Sequence, residues 1–178
     1  MTSLPPASTL PHASESTLTN VLDLLFEPSP PLRTITFPVL RSATFPSYDI
    51  LITAVNAQLA ALAASDDEAD VKKLSEILCS HPRLGEKKVD SEQSRKEQAQ
   101  LQQGGDEERE MLARLNAEYE GKFPGLRYVV FVNGRPRSEI MENMRSRIDR
   151  GDIKAERQEA IQAMCDIALD RATKLQKA

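Results

Sequence analysis

Three places in this chain hold residue types that could do chemistry. The first is His81, one of only two histidines. Pro82 follows it and pushes the preceding backbone out of the α region, so the imidazole projects from a helix end in a defined direction. An imidazole titrating near ~6.5 suits proton transfer at neutral pH. The same placement also describes a histidine that merely neutralises a helix C-terminus. The second place is Ser94, Glu97 and Gln98, whose spacings of three and four put them on one helical face above Leu101. A hydroxyl, a carboxylate and an amide make a hydrogen-bonding panel for a small polar molecule. Ser94-Arg-Lys-Glu97 reads equally as a capping box, and the face as a plain solvated one. The third is Arg171, which interrupts the apolar stripe Ile161, Met164, Ala168, Leu175. A guanidinium there must find a carboxylate or reach solvent. Its partner is either a substrate carboxylate or an internal one, with Glu97 and Glu156 the candidates.

Other patterns carry less. Cys79-x-His81 supplies too few ligands for a zinc site, so no metal is expected. Neither Cys79 nor Cys165 is marked as an activated nucleophile, and two buried free thiols fit a reducing compartment. Gly104-Gly105 has no following Lys-Ser/Thr and is no phosphate loop. A net charge of −4 over 178 residues gives no electrostatic case for nucleic acid. Nothing approaches the ~18 consecutive apolar residues of a membrane span. Neither a secretory signal nor a C-terminal Ser-Lys-Leu peroxisomal address is present, which favours the cytoplasm.

The elements that must position these residues are helical. The chain is 40% hydrophobic, has few aromatics and no Trp, and all 7 Gly fall from Gly85 onward. Eight of the 11 Pro lie in the first 46 residues. Residues 1–16 read as a disordered tail, which leaves one domain over 17–178. A helix over Thr17–Phe26, with Thr17 or Thr19 as N-cap, stops at Glu27-Pro-Ser-Pro-Pro31. Residues 32–46, broken by Pro38 and Pro46, predict short turns. Ser47 caps a helix to Ala64 with Ile50, Leu51, Ala54, Leu59 and Leu62 inward. The next starts at Ser65-Asp66-Asp67, buries Val71, Leu74, Ile77 and Leu78, and ends near Ser80. Asp90 or Ser91 opens a polar helix to about Gln103. Asp106 caps one through Met111, Leu112, Leu115 and Tyr119 to Lys122. Tyr128–Val132 is extended chain without a strand partner, followed by an Asn133-Gly134 turn. Helices over Ser138–Arg147 and Asp152–Gln176 complete an all-α, single-domain bundle of roughly seven or eight helices with one short extended segment.

His81-Pro-Arg-Leu-Gly85 followed by Ser91-Glu-Gln-Ser-Arg-Lys-Glu-Gln-Ala99 resembles the signature of the 2-oxo-4-hydroxy-4-carboxy-5-ureidoimidazoline (OHCU) decarboxylases. Phe26-Glu-Pro-Ser-Pro30, Leu115-Asn-Ala-Glu-Tyr119, Tyr128-Val-Val-Phe-Val-Asn-Gly-Arg135 and Ile167-Ala-Leu-Asp-Arg171 follow that family's order. The resemblance spans roughly residues 18–176. It implies an all-α, cofactor-free homodimer that converts a ureidoimidazoline to (S)-allantoin and carbon dioxide in urate breakdown. By position it makes His81 and Glu97 catalytic, and it places Pro82, Ser94, Gln98, Val129, Val130 and Arg171 around the substrate. Arg83 stands where many members have Asp. The alternative to an enzyme is a non-catalytic helical interaction module on the same scaffold.

Overall fold

The computed structural model describes residues 3–86, 91–99 and 105–177. Among these, eight α-helices and one 3-10 helix account for the regular structure, and no strand occurs. The helices are α1 (Glu15–Phe26), α2 (Pro30–Ser42), α3 (Tyr48–Ala64), α4 (Glu68–Leu78), α5 (Glu92–Gln98), α6 (Asp106–Lys122), α7 (Arg137–Arg150) and α8 (Ile153–Lys177). The long α8 lies at the centre, packed along α3 and α1, while α6 pairs with α7 at one side. No helix is long and apolar enough to cross a membrane among the described residues.

The start of the chain is not a loose tail. Ala7–His12 forms a 3-10 helix against α2. Leu4, Ala7 and Leu10 are buried, and the Tyr48 hydroxyl donates to the Pro5 carbonyl at 2.8 Å. A 3-10 helix turns every three residues, so apolar residues three apart share one face. A search for the 3.6-residue period misses this docking. Deleting residues 1–13 should therefore lower the melting temperature by roughly 5–10 °C, since burying each leucine contributes about 1.5–3 kcal/mol. An unchanged melting curve would return these residues to the solvent.

Three boundaries also differ from expectation. Ser14, not Thr17 or Thr19, caps α1, accepting from the Thr17 amide at 3.1 Å. Residues 30–42 form a full helix, not turns. Pro30 and Pro31 sit in its first turn, where their missing N–H is harmless. Pro38 lies on the exposed face, where water reaches the carbonyl it fails to pair, while Leu32, Thr36 and Leu40 form the buried stripe. Gly105 occupies the N-cap position of α6, one residue before Asp106. Ile50, expected inward, is exposed, as is Met111 of α6, and α3 instead buries Tyr48, Leu51, Ile52, Val55 and Leu59. Asp90, Leu101, Gln103 and Gly104 lie outside the described residues.

Residues 128–132 run extended without a strand partner, as their isolation predicts. Asn133 and Gly134 then take φ of 46° and 71°, the paired left-handed values of a tight reversal.

Candidate active site

Four pieces of chain enclose a cavity of about 230 Å³: the loop after α4, helix α5, the extended segment with its turn, and one face of α8. His81, Pro82, Ser94, Glu97, Gln98, Val129 and Val130 all line it. Arg171 does not reach its wall.

The loop is fastened on several sides. Arg127 donates to the Cys79 carbonyl at 2.9 Å, and Asn116 to the Leu84 carbonyl at 3.0 Å. Gln98 Oε1 accepts from the Gly85 amide at 3.0 Å, which leaves the NH₂ of Gln98 as its donor group. Gly85 has φ +78°, and a Cβ there would come within 2.7 Å of Leu112, so only glycine fits. Arg83 grips Glu120 through Nε at 2.5 Å and through its second nitrogen at 3.1 Å. That pairing ties the loop to α6.

His81 is held at 5% exposure, and its Nε2 has no hydrogen-bond partner among the described residues. Burial, reinforced by the positive charge of Arg171, pushes its pKa down to about 3. The imidazole is therefore neutral at physiological pH and available as a proton acceptor. The unfolded chain takes up the proton near ~6.5 and the folded chain near 3, so folding is penalised progressively as pH falls from 6.5. Between pH about 7.5 and about 5 this amounts to ~2 kcal/mol. Urea unfolding should show His81→Asn losing that share of the acid destabilisation; equal slopes in both proteins would disprove a neutral buried His81.

Arg171 is 2% exposed and fully engaged within the protein. Its Nε donates to Glu97 Oε1 at 2.7 Å, and one terminal nitrogen to Glu97 Oε2 at 2.8 Å, Glu27 Oε1 at 2.8 Å and Ser94 Oγ at 3.0 Å. Of the two internal carboxylates the sequence offered, Glu97 is the partner and Glu156 is not. Glu156 is buried against Arg147, which also donates to the Val129 carbonyl at 2.9 Å and lies 4.6 Å over the Tyr128 ring. Thus Arg171 meets the cavity through Glu97, and Arg147 fixes the extended segment that forms the opposite wall.

Ser94 is no capping residue. Ser91 caps α5, and Ser94 points inward to donate to Glu27 Oε1 at 2.5 Å. With Ser94 and Gln98 buried, the solvated-face reading of α5 also falls.

Glu27 is the residue that pattern reasoning missed. It ends α1 with φ 69° and ψ 157°, a region occupied essentially by glycine and strained by about 1–3 kcal/mol for other residues. Its side chain is nevertheless 3% exposed and bonded to Arg171 and Ser94. The signal was the abrupt end of an apolar stripe at an acidic residue, Phe26-Glu27-Pro28.

Neither thiol is activated toward its thiolate form. Burial raises Cys165 to about 11 and also raises Cys79, whose Sγ donates to the Gly125 carbonyl at 3.2 Å.

A family model described as OHCU decarboxylase matches residues 11–173. No curated protein matches the chain.

Proposed function

Since the chain belongs to the OHCU decarboxylase family, carboxy-lyases that convert 2-oxo-4-hydroxy-4-carboxy-5-ureidoimidazoline to allantoin in urate catabolism, we propose that the reaction takes place in the cavity beneath His81. The observation that carries this reading is the orphaned Nε2 of a buried, neutral histidine on the cavity wall. A buried polar atom without a partner calls for a water, an ion or a ligand to complete it, and on this cavity wall the substrate is well placed to do so.

The chemistry divides into two proton-linked steps. When the C4–carboxylate bond breaks, its electron pair forms a C4–C5 double bond, and the adjacent ring imine takes up the displaced pair at nitrogen together with a proton from solvent. The substrate supplies its own electron sink, so we propose that no cofactor or metal takes part. The resulting enol then loses its hydroxyl proton as C4 becomes a carbonyl, and C5 gains a proton. His81 handles the proton at the C4 hydroxyl. Glu97 and the NH₂ of Gln98 hold the hydroxyl and ureido groups, and Ser94 steadies the Glu27–Arg171 pair behind Glu97. The Val129–Val130 backbone and Pro82 press the ring flat, which holds the carboxylate out of plane for loss. Protonation of C5 from one side yields (S)-allantoin. Arg171 orients Glu97 and completes its charge.

Turnover of freshly generated substrate should give optically active allantoin and carbon dioxide, with the rate unchanged after exhaustive treatment with a strong chelator. Racemic product at the uncatalysed rate would support the helical interaction module instead. Loss of activity on chelation, with recovery on adding zinc or magnesium, would overturn the cofactor-free mechanism.

Two finer proposals accompany this one. A homodimer is supported by the exposed Met111, 54% accessible on α6 beside Leu115 and Met141 of α7. A cytoplasmic location is supported by the two free thiols.

A further inference from the structure

One guanidinium is shared by two carboxylates that sit in unequal places. Glu97 grips Arg171 with both oxygens, yet its side chain is 23% exposed and lines the cavity. Glu27 binds the same guanidinium through one oxygen, is buried, and does not line the cavity. We propose that Glu27 is the fixed counter-ion of Arg171, and that it thereby frees Glu97 to exchange Arg171 for the substrate. The inference rests on the reading above that Glu97 acts on substrate.

The argument is one of charge. With Glu97 as sole partner, any turn of Glu97 toward a ligand would strand a buried cation, which is strongly unfavourable. With Glu27 in place, the pair left behind is formally neutral. Its remaining donors also face the Leu24 and Leu25 carbonyls at 3.4 Å and the Ser94 hydroxyl at 3.0 Å. Glu97 can then leave without uncovering a charge.

Backbone geometry points the same way. At φ 69° and ψ 157°, glycine would remove the strain, and no feature of chain reversal calls for a side chain. The strain is tolerated because the carboxylate is needed at that spot. Ser94 adds a second restraint: its hydroxyl donates to Glu27 Oε1 at 2.5 Å, which holds the carboxylate on the guanidinium side. Glu27 is thus a positioning residue that acts through Glu97.

A double-mutant cycle on kcat/KM tests this. Glu27→Gln keeps the shape and removes the charge, and should lower kcat/KM about tenfold. In a Glu97→Gln background the same change should alter kcat/KM less than about twofold, because the group it serves is gone. Melting curves and far-ultraviolet circular dichroism establish that each variant is folded. Glu27→Gly is the companion variant, since it relieves the backbone while removing the carboxylate. It should match Glu27→Gln in kinetics even if it melts at or above wild type. An equal loss from Glu27→Gln in both backgrounds would overturn the proposal, as would wild-type kcat/KM in Glu27→Gly. A Glu97→Gln variant with wild-type kinetics would instead remove Glu97 from the reaction, and the exchange with it.

Discussion

His81→Ala should lower kcat by about 10²-fold or more, the scale of a general acid–base contribution. The imidazole is buried, neutral and, among the described residues, unpartnered at Nε2, and in the proposed mechanism substrate is the partner it lacks. Its loop is fastened through Arg83, Gly85, Leu84 and Cys79, none of which depends on the ring. The variant should therefore fold, and the loss should be kinetic. His81→Asn is close in size and offers hydrogen bonds, yet an amide is a very weak base, so it should not restore turnover. The pH profile gives a second measure. In wild type, kcat/KM should hold steady from neutrality down through pH about 5, because protonation of His81 in the free enzyme comes only near 3. A fall centred near 6.5 would show an exposed histidine at work. Near-wild-type kcat in either variant, with a single product enantiomer, would take the proton transfer away from His81.

Arg171 should be the most damaging position for stability. Replacing it with Leu suits the stripe of α8 but leaves Glu27 buried with no cation and Glu97 without its fork. Removing one member of a buried ion pair costs about 3–5 kcal/mol. For a chain of this length that corresponds to a drop of roughly 10 °C in melting temperature. Arg171→Lys separates charge from geometry. A lysine keeps the positive charge, but three donors on a single nitrogen do not reproduce a planar fork that reaches Glu97, Glu27 and Ser94 together. It should keep more of the stability than Leu and still lose about tenfold in kcat/KM, because Glu97 is no longer held in register. Full kcat/KM in well-folded Arg171→Lys would make the network purely structural. A large rise in KM with kcat and melting temperature untouched would restore direct contact between Arg171 and substrate.

How far the sequence carries can be judged residue by residue. Arg171 was legible because a charge in an apolar stripe must be paired, and Glu97 was legible as one of its partners. Glu27 was not, because 144 residues separate it from Arg171 and local patterns hold no information across that distance. Ser94 was ambiguous because capping and inward-facing serines share one spacing; only the neighbour it meets decides. Helix α2 was hidden by Pro38, whose tolerance depends on which side faces water, a property of the packed chain. The docked start was hidden by its three-residue period. The face of α3 was misjudged at Ile50 because this helix is apolar nearly all round, so periodicity alone does not choose its inner side. By contrast α4 and α8 have a clear stripe or cap and their extents follow closely, while α7 runs three residues past the expected Arg147 to Arg150.

The Arg171 network also has a consequence for how the protein comes to life during synthesis. It joins Glu27, Ser94 and Glu97 to a residue on the last helix, so the ribosome has made nearly the whole chain before the guanidinium exists to bind them. Until then Glu27 has no cation and its strained turn has nothing to hold it. The individual helices can form as they emerge, since their contacts are local, but such distant contacts come late. Helical content should therefore recover ahead of catalysis in refolding. A nascent chain stalled before residue 171 should be helical yet inactive.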